Sequence, residues 1–324
     1  MKKIYLILAT LVIVISGMSY MYFSALNKAG VQADMSLQLV SKNAALVFSF
    51  QNNKSVRNII DGQQLLSKLL GEQKTQALNT LKGNLDRQET ASLFHGQNVF
   101  IGLYPGEPKK LELMIGVQLH PDATDKMVET QFQRAGLILK PYSSYHQIQT
   151  AEQTFYILQQ KRVILIATAA NVIDRLIADQ KKDTQKEFVS FIEKNDRLAK
   201  NSLANLYIDF RQLGPLMKAV TPYFNRGELA ILNRQHAFAR LSYNFSKEKV
   251  FYSGETKVSN ADSYFSIFTK HSPEKMTVDK VLPANTATYT LYAFGNYKLF
   301  HRNLQDWFKA IKEQKAISQQ IAGI

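Results

Sequence analysis

The sequence predicts an α+β protein in which an N-terminal transmembrane helix precedes a mostly antiparallel sheet domain with interspersed helices. Three observations predict this class. A long charge-free segment opens the chain, the predicted strands occur mainly as hairpins, and helices fall between groups of strands instead of after every strand. The hydrophobic fraction of 45% and the charged fraction of 20% are those of a folded chain.

Residues 4–26 contain no charged side chain and follow Lys2 and Lys3. A spanning helix needs about 20 apolar residues, and lysines before it keep that end in the cytoplasm. We therefore expect a single-pass signal-anchor in the inner (plasma) membrane, with the C-terminal domain periplasmic or otherwise extracytoplasmic. The alternative is a signal peptide cleaved near residues 31–33, although the apolar run exceeds the roughly 7–15 residues usual for such peptides. Both alternatives export the domain.

The expected organisation has four parts. They are a cytoplasmic end and signal-anchor helix at 1–27, a tether at 28–36, an extracytoplasmic α+β domain at 37–280 and the start of a second repeat unit, cut short, at 281–324.

The first elements of the domain alternate between strand and helix. The apolar run 45–50 has the length of a buried strand. Apolar residues at helical spacing then predict a helix over 56–70. A more polar helix follows over 78–85, and we expect Gly83 to break it.

Three hairpins are the clearest strand signals, because apolar and polar residues alternate along them and turn residues separate their arms. Their arms are 99–104 with 111–119, 155–158 with 163–166, and 237–245 with 250–255. The connecting segments are predicted as a helix at 121–135, short strands at 137–140 and 145–150, helices at 172–177 and 188–192, and a strand at 203–210 that leads into a short helix at 213–217.

The end of the chain repeats the pattern of its beginning. Residues 284–290 are similar to residues 42–48, and an Asn then leads into a helix in both places. The second helix carries an apolar stripe that something must cover; the stripe consists of Phe300, Leu304, Trp307, Phe308 and Ile311. Because the repeat is short, chance similarity is the alternative.

These features together resemble the envelope family labelled domain of unknown function 3352. The resemblance rests on the Lys-Lys signal-anchor, on the first strand motif at 41–48 and on the motif at 281–287 that opens the same pattern again. The sequence differs from the family pattern because no Pro precedes Asn43. The family carries no assigned activity, so the resemblance implies location and architecture and transfers no site.

The formal net charge is +14, and the 40 Lys and Arg residues are scattered along the chain. A nucleic-acid-binding protein concentrates its cations on one face, so we expect no nucleic-acid partner. A basic surface attracted to anionic envelope polymers or lipid head groups is the interpretation that we favour. The chain has no Cys, which excludes disulfides, thiolate metal sites and a Cys nucleophile.

No phosphate-binding loop, two-His metalloprotease spacing or Ser-centred elbow occurs in the sequence, so we expect neither an enzyme nor a cofactor. Six histidines lie far apart without metal-ligand spacing; they are His95, His120, His146, His236, His271 and His301.

Acidic residues are the remaining catalytic candidates. Glu107 and Glu112 flank a turn, where two carboxylates would satisfy the minimal requirement of a glycosidase. Two further pairs are expected on the polar side of a helix; they are Asp122 with Lys126 and Asp125 with Glu129. Solvated faces are the preferred interpretation of all three pairs. Asp209 lies between a strand and a helix and fits a helix cap as well as a site.

Tyrosines on or near strands are candidates for a groove that binds glycan, peptide or lipid. They are Tyr142, Tyr145, Tyr243, Tyr252, Tyr264 and Tyr289. Core packing and cross-strand pairing are the preferred interpretation of these rings.

We therefore expect a non-catalytic binding or scaffolding component of the bacterial envelope, with an envelope protein, glycan or lipid as partner. Two alternatives stay open. One is a carrier or sensor of an apolar ligand such as lipid, which the abundance of Phe, Ile and Leu favours. The other is an enzyme whose site is assembled from distant residues.

Overall fold

A computed structural model describes residues 35–52, 71–106, 110–179, 186–196, 204–220, 232, 235–245, 250–275 and 292–311. The predicted anchor, the predicted helix at 56–70, Glu107, Tyr289 and the second motif at 281–287 lie outside these ranges. Within them, no helix combines the length and the apolar character needed to cross a bilayer.

The described residues form ten strands and eight α-helices, numbered here in chain order. The strands are β1 (Leu46–Gln51), β2 (Asn98–Pro105), β3 (Leu111–Gln118), β4 (Lys140–Tyr142), β5 (Tyr145–Gln149), β6 (Thr154–Gln160), β7 (Val163–Ala167), β8 (Ala204–Asp209), β9 (Ala237–Phe245) and β10 (Val250–Val258). The helices are α1 (Met35–Ser41), α2 (Glu72–Leu85), α3 (Gln88–Phe94), α4 (Asp125–Arg134), α5 (Ala170–Asp179), α6 (Lys186–Asp196), α7 (Phe210–Val220) and α8 (Tyr297–Ala310), with a 3₁₀ helix at Tyr264–Phe268.

The ten strands form one sheet in the order β10-β9-β8-β1-β2-β3-β7-β6-β5-β4. All pairings between these strands are antiparallel. The α+β class with a mostly antiparallel sheet is therefore confirmed. The three predicted hairpins are confirmed as β2–β3, β6–β7 and β9–β10, and β8 leads into α7 as predicted.

One face of the sheet, which we call the α1 face, is covered by α1, α5 and α6. Alternation along the strands turns Val47, Phe100 and Leu165 toward this face, where they are buried. Val40 of α1 and Ile173 of α5 are fully buried in the same cluster. Helix α1 was not predicted. It begins at Met35, so the last two residues of the predicted tether are helical.

The opposite face, which we call the α4 face, has three apolar clusters, of which the smallest lies around Phe50 and Ala204. Helices α2, α3 and α4 cover the β3–β7–β6–β5 end, where Phe132 and Phe155 are buried. Helix α7 covers the part around β8 and β9, where Leu213 and Leu216 pack against Ala239. The sheet is thus the middle layer of three, which explains why β7 is apolar along its whole length.

Three predicted boundaries are wrong. Helix α2 continues through Gly83, which lies on its exposed side, because burial of Ala77 and Leu81 outweighs a cost of about 1 kcal/mol for an internal Gly. Helix α4 begins at Asp125 instead of residue 121, since the Thr124 side chain caps it by accepting from the Met127 N–H.

The third error is the strand predicted at 137–140, which forms only from Lys140. Gly136 has φ of 81° and the Leu137 N–H bonds to the Phe132 carbonyl at 2.8 Å. This is a Schellman end of α4, and the Leu137 side chain packs back into the core.

Candidate functional site

Glu112 is buried, which corrects the prediction that it lies on a solvated face. It is 6% exposed on β3. Its Oε2 accepts from the Thr168 hydroxyl at 2.9 Å and lies 3.5 Å from the Lys74 Nζ of α2. Lys74 also donates to the Leu111 carbonyl. The carboxylate therefore connects β3, β7 and α2, and its bonds are those of a structural ion pair.

Asp209 is fully buried at the junction of β8 and α7. Its Oδ1 accepts from the Arg211 N–H at 2.9 Å, which is the bond of a helix cap. Both carboxylate oxygens also accept from the Arg211 guanidinium, at 3.0 and 2.9 Å. The guanidinium lies 4.5 Å from the centroid of the Phe238 ring. The cap interpretation of Asp209 is confirmed.

The other acidic candidates are on the surface. Asp122 is 89% exposed at its side chain and lies 3.4 Å from His120 Nδ1. Asp125 accepts from the Gln159 amide at 2.6 Å on an exposed surface. No group of three or more His or acidic residues among the described residues has the geometry of a metal site.

Two of the predicted tyrosines meet at the β4 end of the sheet, together with Tyr156, which the sequence analysis missed. The ring centroids of Tyr142, Tyr145 and Tyr156 are 5.2 to 6.2 Å apart. The Tyr145 hydroxyl donates to Asp174 at 2.9 Å. Burial, and then the hydrogen bond to Asp174, raise the pKa of Tyr145. We call these three residues the tyrosine triad; cross-strand pairing of β4 with β5 creates it.

Tyr243 and Tyr252 are cross-strand partners in β9 and β10. Of the predicted tyrosines that the structure describes, Tyr142 and Tyr145 thus lie at one end of the sheet, and the backbone positions of Tyr243 and Tyr252 lie at the other.

A second and larger aromatic group forms where the 3₁₀ helix contacts α8. The Trp307 indole N–H donates to the Asp262 carbonyl at 2.8 Å, and the Asn303 amide donates to the Ile267 carbonyl at 2.9 Å. These two bonds fix α8 on the 3₁₀ helix. Tyr264 lies edge-on to Trp307 with centroids 5.4 Å apart. The residues of the apolar stripe of α8 are all partly buried, so the described part of the chain covers the stripe incompletely.

The rings around this contact form a continuous surface, which we call the α8 aromatic surface. It consists of Tyr264, Phe268, His271, Tyr292, Phe294, Tyr297, Phe300 and Trp307. Phe294 stacks on Phe300 at 4.2 Å and 3°, and Tyr292 stacks on Phe268 at 5.4 Å and 4°. Most of these rings are half-buried.

Two rings of the α8 aromatic surface face solvent, since Tyr292 is 50% exposed and Tyr297 is 66% exposed. Burial, and then the hydrogen bond with Tyr292, raise the pKa of Tyr264. Exposed cations occur in the same segments; they are Lys270, Lys275, Lys298, Arg302 and Lys309. Flat rings beside cations can stack on an apolar face and attract an anionic group.

The sequence indicates Tyr264 and the α8 stripe as two separate features. Nothing in it predicts that Tyr292 and Tyr297 are exposed rings. Residues 264–268 and 297–310 are close in sequence, but no motif indicates that they touch. The only available signal was the density of aromatic residues between 292 and 308.

Comparison with protein-family models, with curated proteins and with solved structures found no match to this chain.

Proposed function

We propose that this protein is a non-catalytic, membrane-anchored binding component of the bacterial envelope, whose α8 aromatic surface takes an anionic glycan. The exposed pair Tyr292 and Tyr297 carries the proposal. A monomeric soluble surface rarely groups large exposed rings without a partner, and the neighbouring rings hold this pair in place by stacking.

A glycan explains the geometry of the exposed rings. The stack of Tyr292 on Phe268 is nearly parallel and fixes the orientation of the Tyr292 ring, which is 50% exposed. The C–H face of a sugar ring packs against such a fixed aromatic ring. The Tyr hydroxyls supply hydrogen bonds at the edges. Both properties favour a sugar over a protein partner.

Charge explains why the glycan would be anionic. The segments that carry the rings have more exposed cations than exposed acids. The cations are Lys270, Lys275, Lys298, Arg302 and Lys309, and the acids are Glu274 and Asp306. Cations at this density attract carboxylate or phosphate groups and raise the association rate. The whole chain, at +14, adds to the same attraction.

The location belongs to the same proposal. The charge-free segment at residues 4–26, preceded by Lys2 and Lys3, supports an anchor that holds the described domain outside the cytoplasm. The test uses a reporter enzyme that works only in the cytosol, fused after Ile324. Activity of this reporter would contradict the proposed location.

The binding is tested with the full chain in neutral detergent, using alginate as an acidic polysaccharide and dextran as a neutral one. We expect saturable binding to alginate that weakens with salt, and weaker binding to dextran. Tyr292→Ala combined with Tyr297→Ala should raise the dissociation constant for alginate about tenfold, since each aromatic contact contributes roughly 0.5–1.5 kcal/mol.

Tyr142→Ala is the matched control, because Tyr142 is a 39% exposed ring in the tyrosine triad. Equal loss in both variants, or unchanged binding in the double variant, would contradict the proposal. Binding to vesicles with anionic head groups but not to alginate would replace the glycan by a lipid surface. Co-purified lipid released on unfolding would favour the alternative of an apolar-ligand carrier.

A further inference from the structure

Arg240 is a largely buried cation to which no acid of the described residues is bonded. It lies in the middle of β9 and is 8% exposed, and its Nε is buried without a hydrogen-bond partner. The ion pairs among the described residues do not include it. Arg211, on the same side of the sheet, differs in that Asp209 binds its guanidinium through two oxygens.

The sheet register places polar side chains beside Arg240 on the α1 face. Arg240 lies opposite Tyr207 on one side and Glu255 on the other. Two residues further along β9, Ser242 lies opposite Asn205, and the Ser242 hydroxyl donates to the Asn205 side chain at 3.3 Å.

Ser49 on β1 and Ser253 on β10 continue the row that Asn205 and Ser242 form. Ser49 and Asn205 are buried, at 5% and 6% exposure, whereas Ser253 is exposed. The polar row therefore leads from the interior of the α1 face to β10, the last strand on that side of the described sheet.

A buried guanidinium without an acid is energetically costly, because transfer from water removes the solvation of a full charge. Its fork of donors matches the paired oxygens of a carboxylate or a phosphate. The nearest acid by register is Glu255, but this residue is exposed and no bond joins it to Arg240. Among the described residues, no acid is therefore bonded to this largely buried guanidinium, and the register places Arg240 beside the polar row.

We propose that Arg240 forms an anion-binding site on the α1 face, which takes the phosphate or carboxylate group of a ligand that enters along the polar row from β10. Arg240 supplies the charge and the paired donors, and Ser242 and Asn205 line the approach. The site is separate from the α8 aromatic surface and does not depend on it.

The test measures thermal unfolding and calorimetric titration of the full chain in neutral detergent with inorganic phosphate and with acetate, against chloride at equal ionic strength. We expect saturable binding and a rise in Tm with phosphate or acetate but not with chloride. The preferred ion distinguishes a phosphate ligand from a carboxylate ligand.

Three variants separate this site from a general charge effect. Arg240→Met should abolish the anion-dependent rise in Tm and, without added anion, should unfold at a higher temperature than the wild type, since it removes an unpaired buried charge. Arg240→Lys keeps the charge but loses the fork, and should bind about tenfold more weakly. Arg175→Met, at an exposed arginine of α5, should behave as the wild type.

A lower Tm of Arg240→Met in the absence of anion would overturn the proposal, because it would show that an acid of the chain itself pairs with Arg240. Equal stabilisation of all variants by phosphate would reduce the effect to an adventitious ion only, and would also overturn it. Should Arg240→Met fail to fold, the wild-type titration decides: no saturable phosphate or acetate binding overturns the site.

Discussion

Asp209 satisfies two requirements of the chain with one carboxylate. It accepts the Arg211 N–H at the start of α7, and it neutralises the Arg211 side chain against the Phe238 ring. Burial alone would lower the pKa of Arg211. The hydrogen bonds and charge of Asp209, together with the charge of Glu187, outweigh burial and raise that pKa. The cap residue Asp209 therefore also binds the partly buried Arg211 side chain at the edge of the core.

Replacement of Asp209 by Ala should lower the free energy of unfolding by about 3 kcal/mol, because the helix loses its cap and a partly buried cation loses its partner. Asp209→Asn keeps an acceptor for the N–H and should cost less. The measurement is urea unfolding followed by circular dichroism. Asp122→Ala, at an exposed acid, is the control, and an equal loss at Asp122 and Asp209 would show that the cap has no special role.

Glu112 illustrates what a sequence pattern omits at the residue scale. Glu112 alternates with apolar neighbours in β3, which predicts a solvent-exposed position. In the structure, Lys74 of α2 and Thr168 after β7 cover that position. These partners lie 38 and 56 residues away. The burial of an acid depends on which distant groups satisfy it, and spacing along one strand carries no such information.

At the scale of elements, α1 approaches the sheet closely only because two glycines lie below it. A Cβ added at Gly102 would lie 2.9 Å from the Val40 Cγ1, and one added at Gly116 would overlap Val40 as well. The Tyr104 hydroxyl donates to the Val40 carbonyl and closes the helix end. Glycine usually weakens a strand, but the glycines of β2 and β3 leave the space in which α1 packs on the sheet.

Gly116→Ala should destabilise the protein by about 1–3 kcal/mol, because the new methyl group overlaps Val40 in a packed core. Combined with Val40→Ala, it should cost less than the sum of the two single changes, since the smaller residue makes room for the methyl group. Thermal unfolding measures both effects.

Gly83→Ala is the matched control for this change. Gly83 lies on the exposed side of α2 with nothing within 4 Å of an added Cβ. The replacement should stabilise α2 by roughly 0.5–1 kcal/mol, because Ala has the higher helix propensity. If both Gly→Ala changes acted in the same direction, the close approach of α1 would be refuted.

At the scale of the molecule, tyrosines in different parts of the fold share one electrostatic property. Burial raises the pKa of Tyr104 well above its usual 10.0, and burial with hydrogen bonding raises the pKa of Tyr145 and of Tyr264. When the folded-state pKa of a tyrosine exceeds its unfolded value, the folded state holds the proton at a pH where the unfolded state has lost it.

The free energy of unfolding should therefore be constant with respect to these tyrosines below about pH 10 and fall as the pH rises above it. Urea unfolding at about pH 8 and about pH 11 measures the loss. Tyr104→Phe should reduce the difference between the two values, because it removes the most deeply buried of these hydroxyls. Equal stability of the wild type at both values would contradict the buried-tyrosine account.

The class of the fold and most of its elements follow from local patterns in the sequence. Period-two alternation predicts the three hairpins and apolar spacing predicts α5, α6 and α8, while the position of Asp209 between β8 and α7 fits a cap as well as a site. These features depend on neighbours within a few residues, where backbone geometry fixes which side chains share a face. Boundaries failed where a cap or a Schellman turn decided them, as at Thr124 and Gly136.

The strand order, the packing of α1 on the sheet and the grouping of side chains into surfaces appear only in the folded structure. The α8 aromatic surface and the tyrosine triad join residues from different elements, and the neighbours of Arg240 come from β8 and β10. Such groupings depend on packing between distant segments, and the same local pattern is compatible with many of them. Because local patterns do not specify these groupings, the sequence predicts a binding protein but does not predict where it binds.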